Sequence, residues 1–167
     1  LAKLHHKKLR FPKRGIQAEQ EFFTILKNFE TLKTIDAKNI PDTTLTLAVL
    51  APLLGKSITF TNVNHLQYKE SNRLSTLSKE LRKIGAKVKT TKNSINITGP
   101  RTIIPDAVIE THGDHRIAMA FSLVKSLYPQ TTIKNPEVVQ KSYPKFWKDF
   151  ATFHLSLNKN IVLIVMP

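Results

Sequence analysis

Apolar residues recur along this chain with two periods, one typical of helices and one typical of strands. Spacings of three and four predict amphipathic helices, and alternation at every second residue predicts strands. The predicted helices cover residues 17–28, 45–54, 71–84, 114–127 and 143–153. The predicted strands cover residues 57–63, 86–90, 94–98, 107–110 and 131–133, with the second and third forming a hairpin. Two successive rounds of helices and strands indicate a repeated α/β unit.

The first round has no clear opening strand. The stretch 32–40 is short and mostly polar, so we expect the segment that would carry this strand to be shortened. Asp42 follows Pro41 immediately before an apolar run, which is the position of a helix N-cap. We therefore expect Asp42 to cap the second helix.

Composition narrows the class of protein. The 167 residues contain no cysteine, which excludes disulfides, a thiolate nucleophile and cysteine-bound zinc. No apolar run approaches the roughly 20 residues of a membrane span, and the first residues lack the apolar core of a signal peptide. We expect a basic cytoplasmic α/β domain.

Charge is concentrated near the start of the chain. The formal net charge is +14, and residues 1–14 contribute six cations without an acid. Such an excess favours anionic partners, namely nucleic acid, an anionic membrane or phosphorylated small molecules. Phe11 is the only aromatic residue in that stretch, and nucleic-acid binding usually interleaves aromatic with basic residues. The alternative is a solvated arm, and we do not expect a nucleic-acid partner.

A first cluster of residues that could take part in binding or catalysis is Lys69-Glu70-Ser71-Asn72-Arg73, at the predicted start of a helix. Free N–H groups and the helix dipole favour an anion there. An acid beside a cation can also have a shifted pKa suited to proton transfer. The alternative is ordinary helix-capping chemistry.

A second cluster is His112-Gly113-Asp114-His115-Arg116, before the fourth helix. Its two histidines and carboxylate could bind a metal ion, but no further ligand lies at regular spacing. In the alternative interpretation, Asp114 caps the helix and Arg116 faces an anion. Lys141 precedes the last predicted helix, so three helix starts carry a cation while Asp42 supplies a carboxylate. If these starts converge, they would suit a reaction of phosphorylated substrates.

These motifs, taken in order, resemble the 5-enolpyruvylshikimate-3-phosphate synthase family. The resemblance rests on Ile40-Pro41-Asp42, Leu66 to Arg73, Glu80 to Ala86, His112 to Ala120 and Lys141 to Pro144, and it covers about residues 36–153. It implies an inverse α/β barrel of repeated βαβαββ units, present here as an incomplete C-terminal domain. The implied limits are 1–35 for a basic arm and helix, 36–155 for the domain, and 156–167 for a tail.

The resemblance also implies an activity. Family members transfer the enolpyruvyl group of phosphoenolpyruvate to the 5-hydroxyl of shikimate 3-phosphate and release phosphate, without a metal or organic cofactor. The implied catalytic residues are Asp42, Glu70 and Lys69. The implied contacts of phosphoenolpyruvate are Lys69, Arg73, Arg116 and Lys141, and those of shikimate 3-phosphate are Asp42, His65 and Lys69.

The sequence departs from the family pattern at two positions near the first cluster. Asn72 replaces an aspartate and Gln67 replaces an arginine, so we expect altered ion pairing there. The motifs of the family's N-terminal domain are absent, which indicates a fragment whose missing half would come from another segment or chain. A nucleotide-sugar enolpyruvyl transferase and an inactive basic fragment that binds nucleic acid are the alternatives.

Overall fold

A computed structural model describes the backbone of residues 17–157 and the side chains of residues 21–151. The helices are α1 (Gln17–Lys27), α2 (Thr44–Leu53), α3 (Arg73–Lys83), α4 (His115–Leu127) and α5 (Phe146–Leu157). The strands are β1 (Thr34–Asp36), β2 (Ser57–Thr61), β3 (Lys87–Thr90), β4 (Ser94–Thr98), β5 (Val108–Ile109) and β6 (Thr132–Ile133). Two 3-10 helices cover Asn64–Tyr68 and Pro136–Lys141, and we refer to them as the first and second 3-10 helix.

The strands form two sheets. In the larger sheet the order is β1-β2-β4-β3, with β1 parallel to β2 and β4 antiparallel to both β2 and β3. Ile58 lies opposite Ile97, and Phe60 lies opposite Ile95, so one face of the sheet carries buried apolar side chains. The smaller sheet is the parallel pair β5 and β6.

Strand β1 corrects the expectation that residues 32–40 lack an opening strand. Three residues suffice for it, because a parallel edge strand needs only backbone pairing and one inward side chain. Ile35 supplies that side chain and is 3% exposed, whereas Thr34 and Asp36 face outward. A strand with a single buried residue leaves no period in the sequence, and for that reason the pattern missed it.

The order of elements confirms the predicted fold. From β1 to β4 the chain runs βαβαββ, which is one whole unit, and from β5 to α5 it runs βαβα. The predicted element boundaries hold within four residues, with α3 and α5 starting later and α5 also ending later than predicted. The predicted limits 1–35, 36–155 and 156–167 remain predictions. The basic arm at 1–14 and the apolar stretch at 161–166 lie outside the described residues.

Helix α2 lies at the centre of the core. Eight of its ten residues are buried, and it packs against α4 as well as against β2 and β4. A helix that is apolar on all sides must be covered on all sides. The α2–α4 packing therefore joins the two repeats and brings the ends of their helices together. No helix in the described part has both the length and the apolar character needed to cross a membrane.

Gly99 marks a close approach between the end of β4 and the turn after α2. A Cβ atom at Gly99 would lie 2.8 Å from the carbonyl carbon of Gly55 and 2.9 Å from the backbone nitrogen of Lys56. Both neighbours are backbone atoms, so they cannot rotate away as a side chain would. The backbone N–H of Gly99 also donates to the carbonyl oxygen of Lys56.

We expect Gly99→Ala to destabilise the fold by about 1–3 kcal/mol, because the β4 end must move away from Gly55. The measurement is urea unfolding followed by circular dichroism. Ser57→Ala is the matched control, since Ser57 is exposed at the same end of the sheet and a surface change costs within about 0.5 kcal/mol. Equal free energies of unfolding for the two variants would contradict this account.

Candidate active site

The candidate site lies where the N-terminal ends of α3 and α4 meet the loop before α2. Asp42 comes from that loop, Glu70 from the segment before α3, and Arg73 from the first residue of α3. Arg116 is the second residue of α4, and Lys141 is the last residue of the second 3-10 helix. The sequence places these five residues up to about 100 positions apart, and the structure brings them together through direct contacts.

A buried ion pair joins α3 to α4. Arg73 donates from Nε to Asp114 Oδ2 at 2.7 Å and from Nη2 to Oδ1 at 3.1 Å. The side chains are 4% and 0% exposed, respectively. Asp114 also accepts from the Ser71 hydroxyl at 3.0 Å and from the backbone N–H of Arg116 at 3.0 Å. The last bond confirms the predicted N-cap of α4.

Asp114 is held as a carboxylate. Burial by itself raises the pKa of this group, but the hydrogen bond and positive charge of Arg73 act in the opposite direction, as do the bonds from Arg116 and Ser71. The net result is a pKa below the ordinary aspartate value. The pair therefore fixes two helix starts with both partners charged.

Asp42 does not cap α2, contrary to the expectation from sequence. The N-cap position is Thr43, its side chain makes no capping bond, and α2 begins at Thr44. The Asp42 carboxylate points instead to Arg116 Nη2 at 3.0 Å and to Arg73 Nη1 at 3.8 Å. Two guanidinium groups attract it more strongly than one backbone N–H would. Its side chain remains 48% exposed and so is accessible to a ligand.

Glu70 lies between two basic side chains. Its Oε1 accepts from Lys141 Nζ at 2.7 Å, and its Oε2 is 3.0 Å from His115 Nδ1. The hydrogen bond from Lys141 lowers the pKa of Glu70, and partial burial opposes it. The nearby charge of His115 lowers it further, and the net pKa lies below the ordinary value. Glu70 is therefore ionised at neutral pH when no ligand competes for Lys141.

Lys141 is positioned by aromatic packing behind the second 3-10 helix. Trp147 donates from Nε1 to the carbonyl oxygen of Pro136 at 2.6 Å, and its ring lies edge-on to Phe146 at 4.9 Å. Val139 is fully buried beneath the same turn. These contacts fix the backbone that carries Lys141, whose own side chain is 63% exposed.

His65 and Lys69 complete the set of predicted site residues, on and just after the first 3-10 helix. His65 Nε2 is buried and has no hydrogen-bond partner within the described residues. Burial lowers the pKa of His65, so the imidazole is neutral near pH 7. Lys69 is exposed and forms no ion pair within the same part of the chain. The structure thus places both residues near the cluster, outside its ion-pair network, with the charges of Lys69 and Asp42 acting on His65.

The donor set favours an anion over a metal ion. Glu70, Asp114 and His115 present ligand atoms within 4.8 Å of one another. However, the carboxylates in this group already face Lys141 and Arg73, which would repel a divalent cation. The site as a whole combines three carboxylates with four cations, namely Asp42, Glu70 and Asp114 with Lys69, Arg73, Arg116 and Lys141.

Sequence reasoning missed the partners that organise the cluster. The sequence suggests only metal binding for His115, which contacts Glu70 across 45 positions, and it indicates no role for Ser71, which donates to Asp114 across 43 positions. No periodic signal links positions so far apart. The residues at the two departures from the family pattern make hydrogen bonds: Asn72 caps α3, and Gln67 donates to the carbonyl oxygen of Lys92, 25 positions away.

Comparison with known proteins gives one consistent family. The family model "EPSP synthase (3-phosphoshikimate 1-carboxyvinyltransferase)" matches residues 3–150. A 3-phosphoshikimate 1-carboxyvinyltransferase of Neisseria meningitidis serogroup C is 42% identical over 118 residues, which are 71% of this chain and 27% of the relative. A 3-phosphoshikimate 1-carboxyvinyltransferase of Methanosphaerula palustris is 43% identical over 119 residues, which are 71% of this chain and 27% of that relative.

The structural comparison agrees with the sequence comparison. An EPSP synthase from Acinetobacter baumannii superposes with a TM-score of 0.60 and is 26% identical. The match covers 74% of this chain and 30% of that structure. This chain therefore spans less than a third of the length of these relatives.

We expect Asp114→Asn to destabilise the fold by about 3–5 kcal/mol, because the buried guanidinium of Arg73 loses its counter-charge. Asparagine still caps a helix, so the loss isolates the ion pair. Asp42→Asn is the matched control and should change stability by less than about 1 kcal/mol, since Asp42 is half exposed. The measurement is urea unfolding at pH 7, and similar losses in both variants would contradict this assignment.

The same pair predicts an acid dependence of stability. Because the folded pKa of Asp114 lies below its unfolded value of about 3.9, its contribution is complete above that value and lost as pH falls through the folded pKa. The difference in unfolding free energy between wild type and Asp114→Asn should therefore shrink below about pH 4. A constant difference down to pH 2 would be inconsistent with an ionised Asp114.

We expect Lys141→Met to raise the pKa of Glu70, because it removes the hydrogen bond that lowers that pKa most. The measurement is a pH titration of the Glu70 side-chain carboxyl carbon by NMR. Lys145→Met is the control, since Lys145 is an exposed lysine four positions away. An unchanged titration in Lys141→Met would show that this hydrogen bond does not form in solution.

Proposed function

Since this chain belongs to the EPSP synthase family, we propose that its site is the phosphoenolpyruvate-binding wall of a 3-phosphoshikimate 1-carboxyvinyltransferase. The proposed reaction transfers the enolpyruvyl group of phosphoenolpyruvate to the 5-hydroxyl of shikimate 3-phosphate and releases phosphate. One observation supports it most: Glu70 lies between Lys141 and His115, and the buried Arg73–Asp114 pair links this group to the Asp42 carboxylate, which faces Arg116 and Arg73. This arrangement combines proton-transfer groups with fixed cations.

The cations are proposed to hold phosphoenolpyruvate. Arg116, Lys141 and Lys69 are partly or fully exposed and can reach a bound anion. Arg73 is buried, and its Nη1 faces the ligand side through Asp42 while Nε and Nη2 bind Asp114. Cations fixed by a folded framework need not reorganise as charge develops in the transition state.

Asp42, His65 and Lys69 are proposed to contact shikimate 3-phosphate. The half-exposed carboxylate of Asp42 can accept a hydrogen bond from a substrate hydroxyl and take its proton as that oxygen attacks. His65 is neutral and its buried Nε2 has no hydrogen-bond partner within the described residues, so contact with a second hydroxyl requires a small movement of the ring that exposes this nitrogen. Lys69 is exposed, and we propose that it contacts both substrates.

Glu70 is proposed to protonate the methylene carbon of phosphoenolpyruvate. In the ligand-free site Glu70 is ionised because Lys141 donates to it. A bound phosphoenolpyruvate that draws Lys141 to itself removes this bond, so the pKa of Glu70 rises and the group can carry a proton beside His115. Protonation of the methylene and attack of the hydroxyl at the adjacent carbon give a tetrahedral adduct. Loss of one methyl proton and cleavage of the carbon–oxygen bond to phosphate then complete the transfer.

The activity of a complete enzyme requires more than these residues. The described site supplies one wall, and the chain spans 27% of the N. meningitidis relative's length. We propose that a further domain, on the same or another chain, closes over the substrates and supplies the remaining contacts of shikimate 3-phosphate. We also propose that the protein acts in the cytoplasm.

The test begins with phosphoenolpyruvate binding, measured by isothermal titration calorimetry. We expect Arg116→Met and Lys141→Met each to weaken binding about 10- to 100-fold, the effect of losing one charge-assisted hydrogen bond. Lys87→Met is the matched control, because Lys87 is an exposed lysine at the start of β3, near the C-terminal end of α3 and so at the other end of that helix from the site. Absence of phosphoenolpyruvate binding, or equal weakening by Lys87→Met, would overturn the proposal.

Release of phosphate then tests the reaction itself. Phosphate release from phosphoenolpyruvate that requires shikimate 3-phosphate and disappears in Asp42→Asn would show turnover. If the chain binds phosphoenolpyruvate without releasing phosphate, the described residues form a binding wall that needs the additional domain. The two results separate the ligand proposal from the turnover proposal.

A further inference from the structure

The ion pair of Glu80 and Lys83 on α3 does not take part in the site described above. The Glu80 side chain is nevertheless fully buried, whereas that of Lys83 is 31% exposed. Glu80 is 0% exposed, and its Oε2 lies 2.6 Å from Lys83 Nζ. Isolated buried carboxylates are costly, and a buried ion pair seldom adds stability over apolar packing. The contacts of this pair indicate what it does.

Both side chains bind the free edge of β5. The carbonyl oxygens of Ala107 and Ile109 accept bonds from β6, so the alternate residues of β5 direct their backbone groups to the other side. On that side Lys83 Nζ donates to the carbonyl oxygen of Val108 at 2.9 Å. The backbone N–H of Glu110 donates to Glu80 Oε2 at 2.9 Å. The ion pair thus satisfies this edge as a neighbouring strand would.

The segment that follows β5 leads directly to the site. Thr111 is buried, and the next two residues, His112 and Gly113, have positive φ values of 52° and 72°. The N–H of Asp114 then donates to the carbonyl oxygen of Thr111 at 2.9 Å, which closes a tight turn. Glycine adopts this conformation freely, but a left-handed residue with a side chain, such as His112, persists only where its surroundings hold it. The position of Asp114 therefore depends on what fixes each end of this turn.

One face of α3 fixes both ends. Arg73 and Glu80 are seven residues apart, or two helical turns, and so share a face. Arg73 holds the far end of the turn through Asp114, and Glu80 holds the near end through the N–H of Glu110. Arg116 lies two residues beyond Asp114 and donates its N–H to the Asp114 carboxylate, so the contacts that place Asp114 also place Arg116.

We infer that Glu80 and Lys83 are positioning residues, which act as a substitute strand along β5 and thereby place Asp114 and Arg116 for anion binding. This inference rests on the proposed function for its ligand, but its geometric part does not. Glu80 Oε1 is buried without a hydrogen-bond partner, and His112 Nε2 lies 3.6 Å away. Such an incompletely satisfied group is expected where geometry, and not stability, has determined the residue.

The first experiment uses NMR on the ligand-free chain. Two signals report on the turn: hydrogen exchange of the Glu110 amide, and the Nε–H resonance of Arg73, which is buried against Asp114. In Glu80→Leu we expect exchange at Glu110 to become about tenfold faster, the effect of one lost hydrogen bond, and the Arg73 resonance to shift. Glu80→Gln retains an acceptor for the Glu110 N–H and should restore both signals to near wild type.

Two controls separate positioning from general stability. In Glu80→Leu, the amide of Ile97 on β4 of the larger sheet should exchange at the wild-type rate. Lys79→Met changes an exposed residue of the same helix and should alter neither the Glu110 nor the Arg73 signal. Lys83→Met removes the second contact with β5 and should accelerate exchange near Val108, which tests the inference even if Glu80→Leu does not fold. Unchanged signals at Glu110 and Arg73, or equally faster exchange throughout the sheet, would overturn the inference.

The second experiment measures phosphoenolpyruvate binding by calorimetry. We expect the dissociation constant to rise about tenfold in Glu80→Leu, to stay near wild type in Glu80→Gln, and to be unaffected by Lys79→Met. If wild type binds no phosphoenolpyruvate while the NMR signals change as expected, the proposed function fails and the positioning role stands. If wild type binds and Glu80→Leu binds equally well, the positioning role fails and the proposed function stands.

Discussion

The ion pair between Arg73 and Asp114 is the contact on which the rest of the site depends. It is buried, bidentate and shared between two helix starts, and each partner makes a further contact in the cluster. Through Arg73 it approaches Asp42, and through the cap of α4 it places His115 and Arg116. Because both groups are shielded from water, removing either one leaves the other as an uncompensated buried charge and destabilises the fold. The apolar packing of α2 against α4 supplies the frame in which this pair can form.

Around that pair, charge is arranged so that a ligand can compete for cations without disturbing the core. The buried partners, Arg73 and Asp114, bind chiefly each other, whereas the more exposed Lys141 and Arg116 pair with carboxylates that are themselves accessible. An incoming anion therefore meets cations whose present bonds are the weaker, solvent-screened ones. In the proposed function, exchange of partners at the surface, over a fixed interior, would couple ligand binding to the protonation of Glu70.

Much of the fold could be predicted from the sequence, because helix periodicity and strand alternation are local properties. The helices over 17–28 and 114–127 and the hairpin were all visible in the spacing of apolar residues. Strand β1 was not, since one inward isoleucine makes no period. For the site, the motif resemblance named residues that the structure places in or near one cluster, but the partners of Asp42 could not be predicted. The choice between a backbone N–H and two guanidinium groups is decided by tertiary neighbours, and no local pattern contains them.

The contacts of the site also set the order in which it can be built during synthesis. Arg73 and Asp114 are 41 positions apart, and Glu70 and Lys141 are 71 positions apart. Closing such loops costs entropy that must be recovered by packing already in place. The βαβαββ repeat from β1 to β4 precedes Asp114 entirely and can offer its α3 face to the emerging turn. The cluster then assembles from its interior outward, with Lys141 arriving last, so a chain interrupted before residue 114 leaves Arg73 without its counter-charge.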